Sequence, residues 1–183
     1  MEHRIKNEIY SWLKAIVLGL IIAMIVKVFL FSSYIVKGES MMPTLQDGNH
    51  MIINKVNYEF SQPNHGDIII FHATPTKDYV KRVIGLPGDT IEYKNDQLYR
   101  NGKPVAEPYL DQYKKELESG FLTADFTLKA LTGKTRVPKG KLWVMGDNRL
   151  ISSDSRKPWI GFVDQKEVVG KVSFRLKPFT DFK

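Results

Sequence analysis

Apolar positions run with no polar face from Trp12 to Phe31, and beyond Phe31 they break into short alternating bursts. As a helix, the first stretch rises 1.5 Å per residue to about 30 Å, one hydrocarbon thickness. It predicts one membrane-spanning anchor over residues 12–31, with 1–11 on the cytoplasmic side and 32–183 outside. Lys14 and Lys27 interrupt the run. A lysine at a bilayer centre costs about 2.5–3.5 kcal/mol on insertion scales, but both lie toward the ends, where the stem can snorkel. Trp12 is placed as an interfacial anchor. A cleavable signal peptide is the rival reading. Its apolar part would be long for that role, and the nearest small-x-small pattern, Gly38-x-Ser40, would cut at a candidate nucleophile. Arg4, Lys6 and Lys14, set against Glu2 and Glu8, give a modest positive-inside signal that keeps the N-terminus cytoplasmic.

The later pattern is extended. Tyr34–Lys37, His50–Asn54, Asp67–His72, Tyr79–Ile84, Thr90–Tyr93, Gln97–Arg100, Leu142–Met145 and Val168–Leu176 are rich in Val, Ile, Tyr and Phe and are punctuated by Gly, Pro, Asn and Asp. They predict a mainly-β domain. Lys94-Asn95-Asp96 joins two of these strands as a hairpin, and Asn101-Gly102 makes a second tight turn. Asp111–Glu118 has the makings of a short helix, within a polar, irregular stretch from about 106 to 138 that reads as an insertion or flap.

At 183 residues and 43% hydrophobic, the chain can bury one core of ordinary size. The net charge of +7 raises nucleic acid or anionic lipid as partners. The basic residues are dispersed among carboxylates, however, and no zinc-finger spacing or helix-turn-helix accompanies them, which argues against nucleic acid. The absence of cysteine excludes disulfides, thiolate catalysis and Cys-ligated metal.

Two stretches carry candidate chemistry: Gly38-Glu39-Ser40-Met41-Met42-Pro43-Thr44-Leu45 and Tyr79-Val80-Lys81-Arg82-Val83-Ile84-Gly85-Leu86-Pro87-Gly88-Asp89. A serine hydroxyl needs a base within hydrogen-bond reach. Histidine is the common one, and His3, His50, His65 and His72 are available. Ser40 lacks the Gly-x-Ser-x-Gly elbow, so a histidine triad has no motif behind it. Lysine serves only when neutral. Bringing its pKa from about 10.4 to about 7–8 takes roughly 4 kcal/mol of desolvation. Strand alternation places Lys81 on one face with Tyr79 and Val83, and Val80 and Arg82 on the other. Lys81 is desolvated if its face packs inward. Taken alone, a Val-Lys-Arg-Val run more often turns its lysine to water, and Ser-Met-Met-Pro alone is equally compatible with a plain turn.

The joint pattern goes further. Gly38 to Leu45 resembles the nucleophile motif of bacterial type I signal peptidases, and Asp67-Ile68-Ile69-Ile70-Phe71 resembles their next strand. Tyr79 to Asp89 is similar to their lysine motif. Gly146-Asp147-Asn148-Arg149, with Ser152-Ser153-Asp154-Ser155-Arg156, is similar to the last motif. The resemblance covers essentially the whole chain, in the compact single-span form found in Gram-positive bacteria. Two departures stand in the last motif, Leu150-Ile151 and Lys157-Pro158.

The resemblance implies a coiled β-sheet catalytic domain with Ser40 as nucleophile and Lys81 as general base. It also implies Ser152 as the hydroxyl that orients the lysine amine, and Asp147, Asp154 and Arg156 as charged residues that brace the site. For the oxyanion and substrate contacts it points to the Ser40 N–H, Gly38 and Met41, with Gly38 standing where some relatives have a second hydroxyl donor. No cofactor or metal is implied. The implied partners are signal-peptide-bearing preproteins, the lipid bilayer and the secretion translocon, and the implied location is the cell membrane. Nine residues from Phe31 to Ser40 span at most about 30 Å, which keeps the nucleophile near lipid. Trp143, Trp159, Phe162 and Phe179 are candidates for lipid contact, with core packing as the alternative. Two other classes stay open: a non-catalytic membrane-tethered scaffold for surface-protein or pilus assembly, and a self-cleaving repressor-type protease of related fold.

Overall fold

The computed structural model describes residues 2–54, 63–176 and 179–181, with side chains placed over 8–24, 32–54 and 63–173. Helix α1, Glu2–Leu30, leads directly into strand β1, Phe31–Ile35. Every α1 residue from 8 to 24 is exposed, apolar ones included. Among the described residues no helix is long and apolar enough to cross a membrane. The side chains of Glu2, His3, Arg4, Lys6, Lys27, Phe31 and Phe179, on which parts of the sequence reading rest, lie outside the described residues.

The remaining strands are β2 (His50–Asn54), β3 (Ile68–Thr74), β4 (Lys77–Gly85), β5 (Ile91–Lys94), β6 (Gln97–Arg100), β7 (Lys103–Val105), β8 (Phe126–Thr127), β9 (Lys141–Met145), β10 (Val163–Asp164), β11 (Val168–Leu176) and β12 (Phe179–Asp181). They form two antiparallel sheets. The larger has the order β1-β2-β11-β3-β4-β9-β10, with β12 added to β11, and the smaller runs β7-β6-β5-β8. The domain is mainly β.

Alternation along the strands decides which core each residue enters. On β3, Ile68 and Ile70 join Val36, Met41, Leu45, Met51, Ile53 and Val172, while Ile69 and Phe71 join Val83, Leu142, Val144 and Val163 on the opposite side. The uninterrupted Ile68–Phe71 run is what a strand buried on both faces requires. A third cluster lies between the sheets, where Trp143 and Met145 of β9 meet Ile91, Tyr93 and Leu98. Trp143 is therefore core, Phe162 packs beside it, and Trp159 is 72% exposed.

The β5–β6 hairpin closes through Asn95 and Asp96, at φ +51° and +57°. Asn101-Gly102, at +54° and +74°, repeats the device between β6 and β7. Positive φ at both central positions marks the tight turn whose twist suits a hairpin, and Asn, Asp and Gly tolerate it best.

The 106–138 stretch is built into the fold. It contributes β8, which pairs with β5, and two short helices, α2 (Asp111–Glu116) and α3 (Leu128–Thr132). The Thr127 hydroxyl caps α3 by accepting the Ala130 N–H, and Leu110, Leu122, Leu128 and Val137 of this stretch are buried.

Candidate active site

Ser40 sits in the turn that follows β1. Val36 N–H donates to the Asn49 carbonyl and Gly48 N–H returns to the Val36 carbonyl, closing the loop at its base. Within it Gly38, at φ +87°, donates its N–H to Asp47 Oδ1 at 2.7 Å. The side chains of Met41 and Leu45 are 1% and 0% exposed and plug this turn into the core. Apolar residues on either side of the serine thus fix the turn, and the hydroxyl is left half-buried.

Lys81 lies on β4 opposite Ile69 of β3. Its Nζ is 2.6 Å from Ser40 Oγ and 3.0 Å from the Val80 carbonyl oxygen. The residue is 3% exposed, and burial pulls its pKa down to about 8; Asp154 and Asp147 oppose the fall and Arg156 assists it. A neutral amine here keeps an N–H for Val80 and offers its lone pair to the serine proton.

Arg82, next along β4, turns the other way and is also buried. Its Nε and Nη2 hold the two Asp147 oxygens at 2.8 and 2.7 Å, Nη1 reaches the Gly66 carbonyl, and the guanidinium lies over the Tyr109 ring. Asp147 also accepts from the Thr44 hydroxyl, which ties the serine turn to the loop after β9. A second link is the Asn148 N–H donating to the Ser40 carbonyl at 3.0 Å. At Gly146 an added Cβ would collide with that same carbonyl and with the Ser152 side chain, so only glycine fits the approach.

Asp154 is held by Arg156 through Nε and Nη2, at 2.9 and 2.8 Å, and by the Gly146 N–H. Burial pushes this carboxyl up, but the guanidinium outweighs it and keeps the group ionised below its usual range. Ser152 is buried against Gly146 and faces Asp154 closely enough to favour the carboxylate, yet its hydroxyl completes no hydrogen bond of good geometry among the described residues. Of the sequence candidates, Ser40 and Lys81 meet directly. Asp147, Asp154 and Arg156 gather behind them, and Ser152 is adjacent to the pair without bonding to the amine. His65 pairs with Asp89 and His72 with Asp78, each at 2.6 Å. Among the described residues no group of His, Asp and Glu is placed to hold a metal ion. The sequence reading missed Arg82 and Thr44 as partners of Asp147; their one signal was membership in the two motifs.

A cleft of about 700 Å³ opens over the pair, between Tyr34–Lys37 on one side and Thr76–Lys81 on the other, with Met41 and Ile70 lining it and Ile151 and Ser153 beside Ser40. The strand expected over Tyr34–Lys37 is set earlier, at Phe31–Ile35, so one flank is the end of β1 with the two residues after it and the other is the start of β4. Among the described residues strand β1 pairs with β2 alone, and β9 joins β4 only from Arg82 onward, so Lys77–Lys81 keep a free edge there.

A mainly-β domain with a serine hydroxyl against a desolvated lysine has the makings of a serine hydrolase that dispenses with histidine. The family model described as "Signal peptidase, peptidase S26" matches residues 9–177, and the chain belongs to that family. It is 58% identical over 156 residues to signal peptidase I of Bacillus caldolyticus, covering 85% of each chain. It is 46% identical over 182 residues to signal peptidase IB of Staphylococcus aureus strain COL, covering 97% of this chain and 94% of the other. The crystal structure of a signal peptidase I from Enterococcus faecalis V583 superposes with a TM-score of 0.57 at 41% identity, over 61% of this chain and 97% of that one.

Proposed function

We propose that this chain is a membrane-bound serine endopeptidase that removes signal peptides from exported preproteins with Ser40 as nucleophile and Lys81 as general base. The observation that carries this reading is the 2.6 Å contact between a half-buried hydroxyl and an amine that is 3% exposed. Neutral Lys81 takes the Ser40 proton as Oγ attacks the scissile carbonyl, and the resulting ammonium returns it to the leaving amine. Water, deprotonated by the same amine, then attacks the acyl-serine ester; the peptide acid leaves and Ser40 recovers its proton.

The Ser40 N–H is the oxyanion donor in this scheme, and Gly38 leaves room for the carbonyl to approach. The substrate enters extended, adding a strand between Tyr34–Lys37 and Lys77–Lys81. Met41 and Ile70 on the floor of the cleft favour small residues at the first and third positions before the cut. Asp147, Asp154 and Arg156 hold the charges around the amine, and Ser152 orients it once substrate has excluded water.

Residues 12–31 serve as the anchor, with 1–11 cytoplasmic and 32–183 outside. Support comes from the apolar side chains exposed around α1, including Trp12, Leu13, Ile16, Leu20 and Met24, which in an aqueous setting would have no solvent suited to them. Lys14 folds back over the Tyr10 ring at 4.4 Å, as a snorkelling lysine near a span's end would. Lipid and the secretion translocon are the partners of that arrangement.

The test is cleavage of a precursor by the detergent-solubilised protein, with Ser40→Ala and Lys81→Ala each expected to abolish it. Activity surviving in Lys81→Ala, or lost instead with a histidine change, refutes the dyad.

A further inference from the structure

Buried charge is tolerated only where it is paired, so a fully buried ion pair near a reacting centre calls for a reason. Arg149 and Glu107 are 0% and 3% exposed at the side chain, with Arg149 Nη2 2.6 Å from Glu107 Oε1. The Tyr93 hydroxyl lies 2.7 and 2.8 Å from the two carboxylate oxygens, and the Tyr109 hydroxyl donates to Oε1 at 2.7 Å. Arg149 Nη1 meets the Tyr93 hydroxyl and Thr123 Oγ1, so every polar edge of the cluster is matched. The cluster draws on β5, the 106–138 stretch and the loop after β9, with Tyr93 14 residues from Glu107 and 56 from Arg149 in sequence.

The remaining donor of Arg149 aims at the reaction. Its Nε bonds the Gly146 carbonyl at 3.0 Å, and the Arg149 N–H bonds the Asp147 carbonyl, which curls residues 146–149 into a fixed turn. That turn presents the Asn148 N–H to the Ser40 carbonyl and the Asp147 carboxylate to Arg82 and Thr44. Tyr109, bonded to Glu107, also floors the Arg82 guanidinium at 3.8 Å. The Ser40 backbone is thus located through Arg149, and Arg149 is located by Glu107.

We propose that Glu107 is a positioning residue for Ser40, acting through Arg149 and the 146–149 turn, and that the 106–138 stretch serves the reaction as a buttress. Glu107 touches neither Ser40 nor the cleft. Removing its charge shifts the turn behind the nucleophile while leaving the substrate-binding edges on β1 and β4 in place. A displacement near 1 Å at a reacting atom costs about 10²-fold in rate.

The experiment uses the full chain in detergent micelles, with kcat and KM on a precursor peptide and Tm read together. Glu107→Gln is expected to lower kcat by roughly 10- to 100-fold with KM within about twofold, and to lower Tm. The double variant Glu107→Gln/Arg149→Met removes both charges; Tm is expected to recover while kcat stays low, because the link to Gly146 is gone. Recovery of kcat together with Tm makes the pair purely structural and overturns the proposal, as does an unchanged kcat in Glu107→Gln. Should these variants fail to fold, Tyr93→Phe keeps both charges and the ring and decides the matter: kcat several-fold lower at constant KM supports positioning, and wild-type kcat overturns it. The proposal rests on Ser40 as nucleophile, and Ser40→Ala run in parallel separates the two, since residual cleavage there refutes the nucleophile whatever Glu107 does.

Discussion

Replacing Lys81 by methionine should destroy cleavage and stabilise the protein at neutral pH. The amine is 3% exposed, and burial takes its pKa from the ordinary 10.5 to about 8. At 1.36 kcal/mol per pH unit, holding the protonated form in this site costs about 3 kcal/mol. The cost is present in full below pH 8, where the folded protein must carry a charge that the unfolded chain solvates better. It fades as pH rises from 8 to 10.5 and is gone above that, where both states are neutral. Methionine fills nearly the same volume without charge and forfeits the bonds to Ser40 and the Val80 carbonyl, together worth about 2 kcal/mol. The net gain is therefore about 1 kcal/mol at pH 6.5, and the difference from wild type should shift by about 3 kcal/mol between pH 6.5 and 10.5. Urea unfolding in detergent, followed by the fluorescence of buried Trp143, measures both ends. A Lys81→Met protein less stable than wild type at pH 6.5, or a difference that ignores pH, would refute the desolvated amine.

The same pKa of about 8 predicts that kcat/KM rises close to tenfold per pH unit below 8 and levels off above it, with about a tenth of the plateau at pH 7; a profile flat from pH 6 to 9 contradicts a lysine base. Asp147→Asn leaves the buried Arg82 guanidinium without its counter-ion and should cost about 3–5 kcal/mol in a denaturant titration, part of which Arg82→Gln in the same chain should restore. Gly146→Ala drives a methyl group into the Ser40 carbonyl and the Ser152 side chain. It should lower stability by about 1–3 kcal/mol and activity by more than tenfold, read by Tm and cleavage rate.

Strands whose residues are long enough to show a period were legible: His50–Asn54, Gln97–Arg100 and Val168–Leu176 have the boundaries that alternation and turn residues assign to them. The two- and three-residue strands β7, β8, β10 and β12 were not, because so short a segment carries no periodicity. Polarity also hid the order in residues 106–138. Glu107, Tyr109 and Thr123 look like surface residues in a string of letters, and their contacts with Arg149, Tyr93 and Arg82 are what draw them inward. At the site, alternation separated Lys81 from Arg82 by face but left open whether the Lys81 face packs inward. Both are buried because each face of β4 has its own cover, the Ser40 turn over Lys81 and Asp147 with Tyr109 over Arg82. Ser40 and Lys81 were legible as a pair through motif order. Their 2.6 Å separation depends on a turn pinned by Met41, Leu45, Asp47 and Asn148, and no local pattern encodes that.

The two open strand edges beside the cleft offer main-chain N–H and C=O groups, which every polypeptide can answer in the same way. A site that grips its client by the main chain accommodates a large variety of sequences at little cost in affinity, and leaves only a few side-chain positions to discriminate. Under the strand-addition mode proposed above, it also imposes a timetable. A segment already committed to its own helix or sheet has no main-chain groups to lend, so the cut must fall where the client is still uncoiled, before the exported protein has collapsed around it.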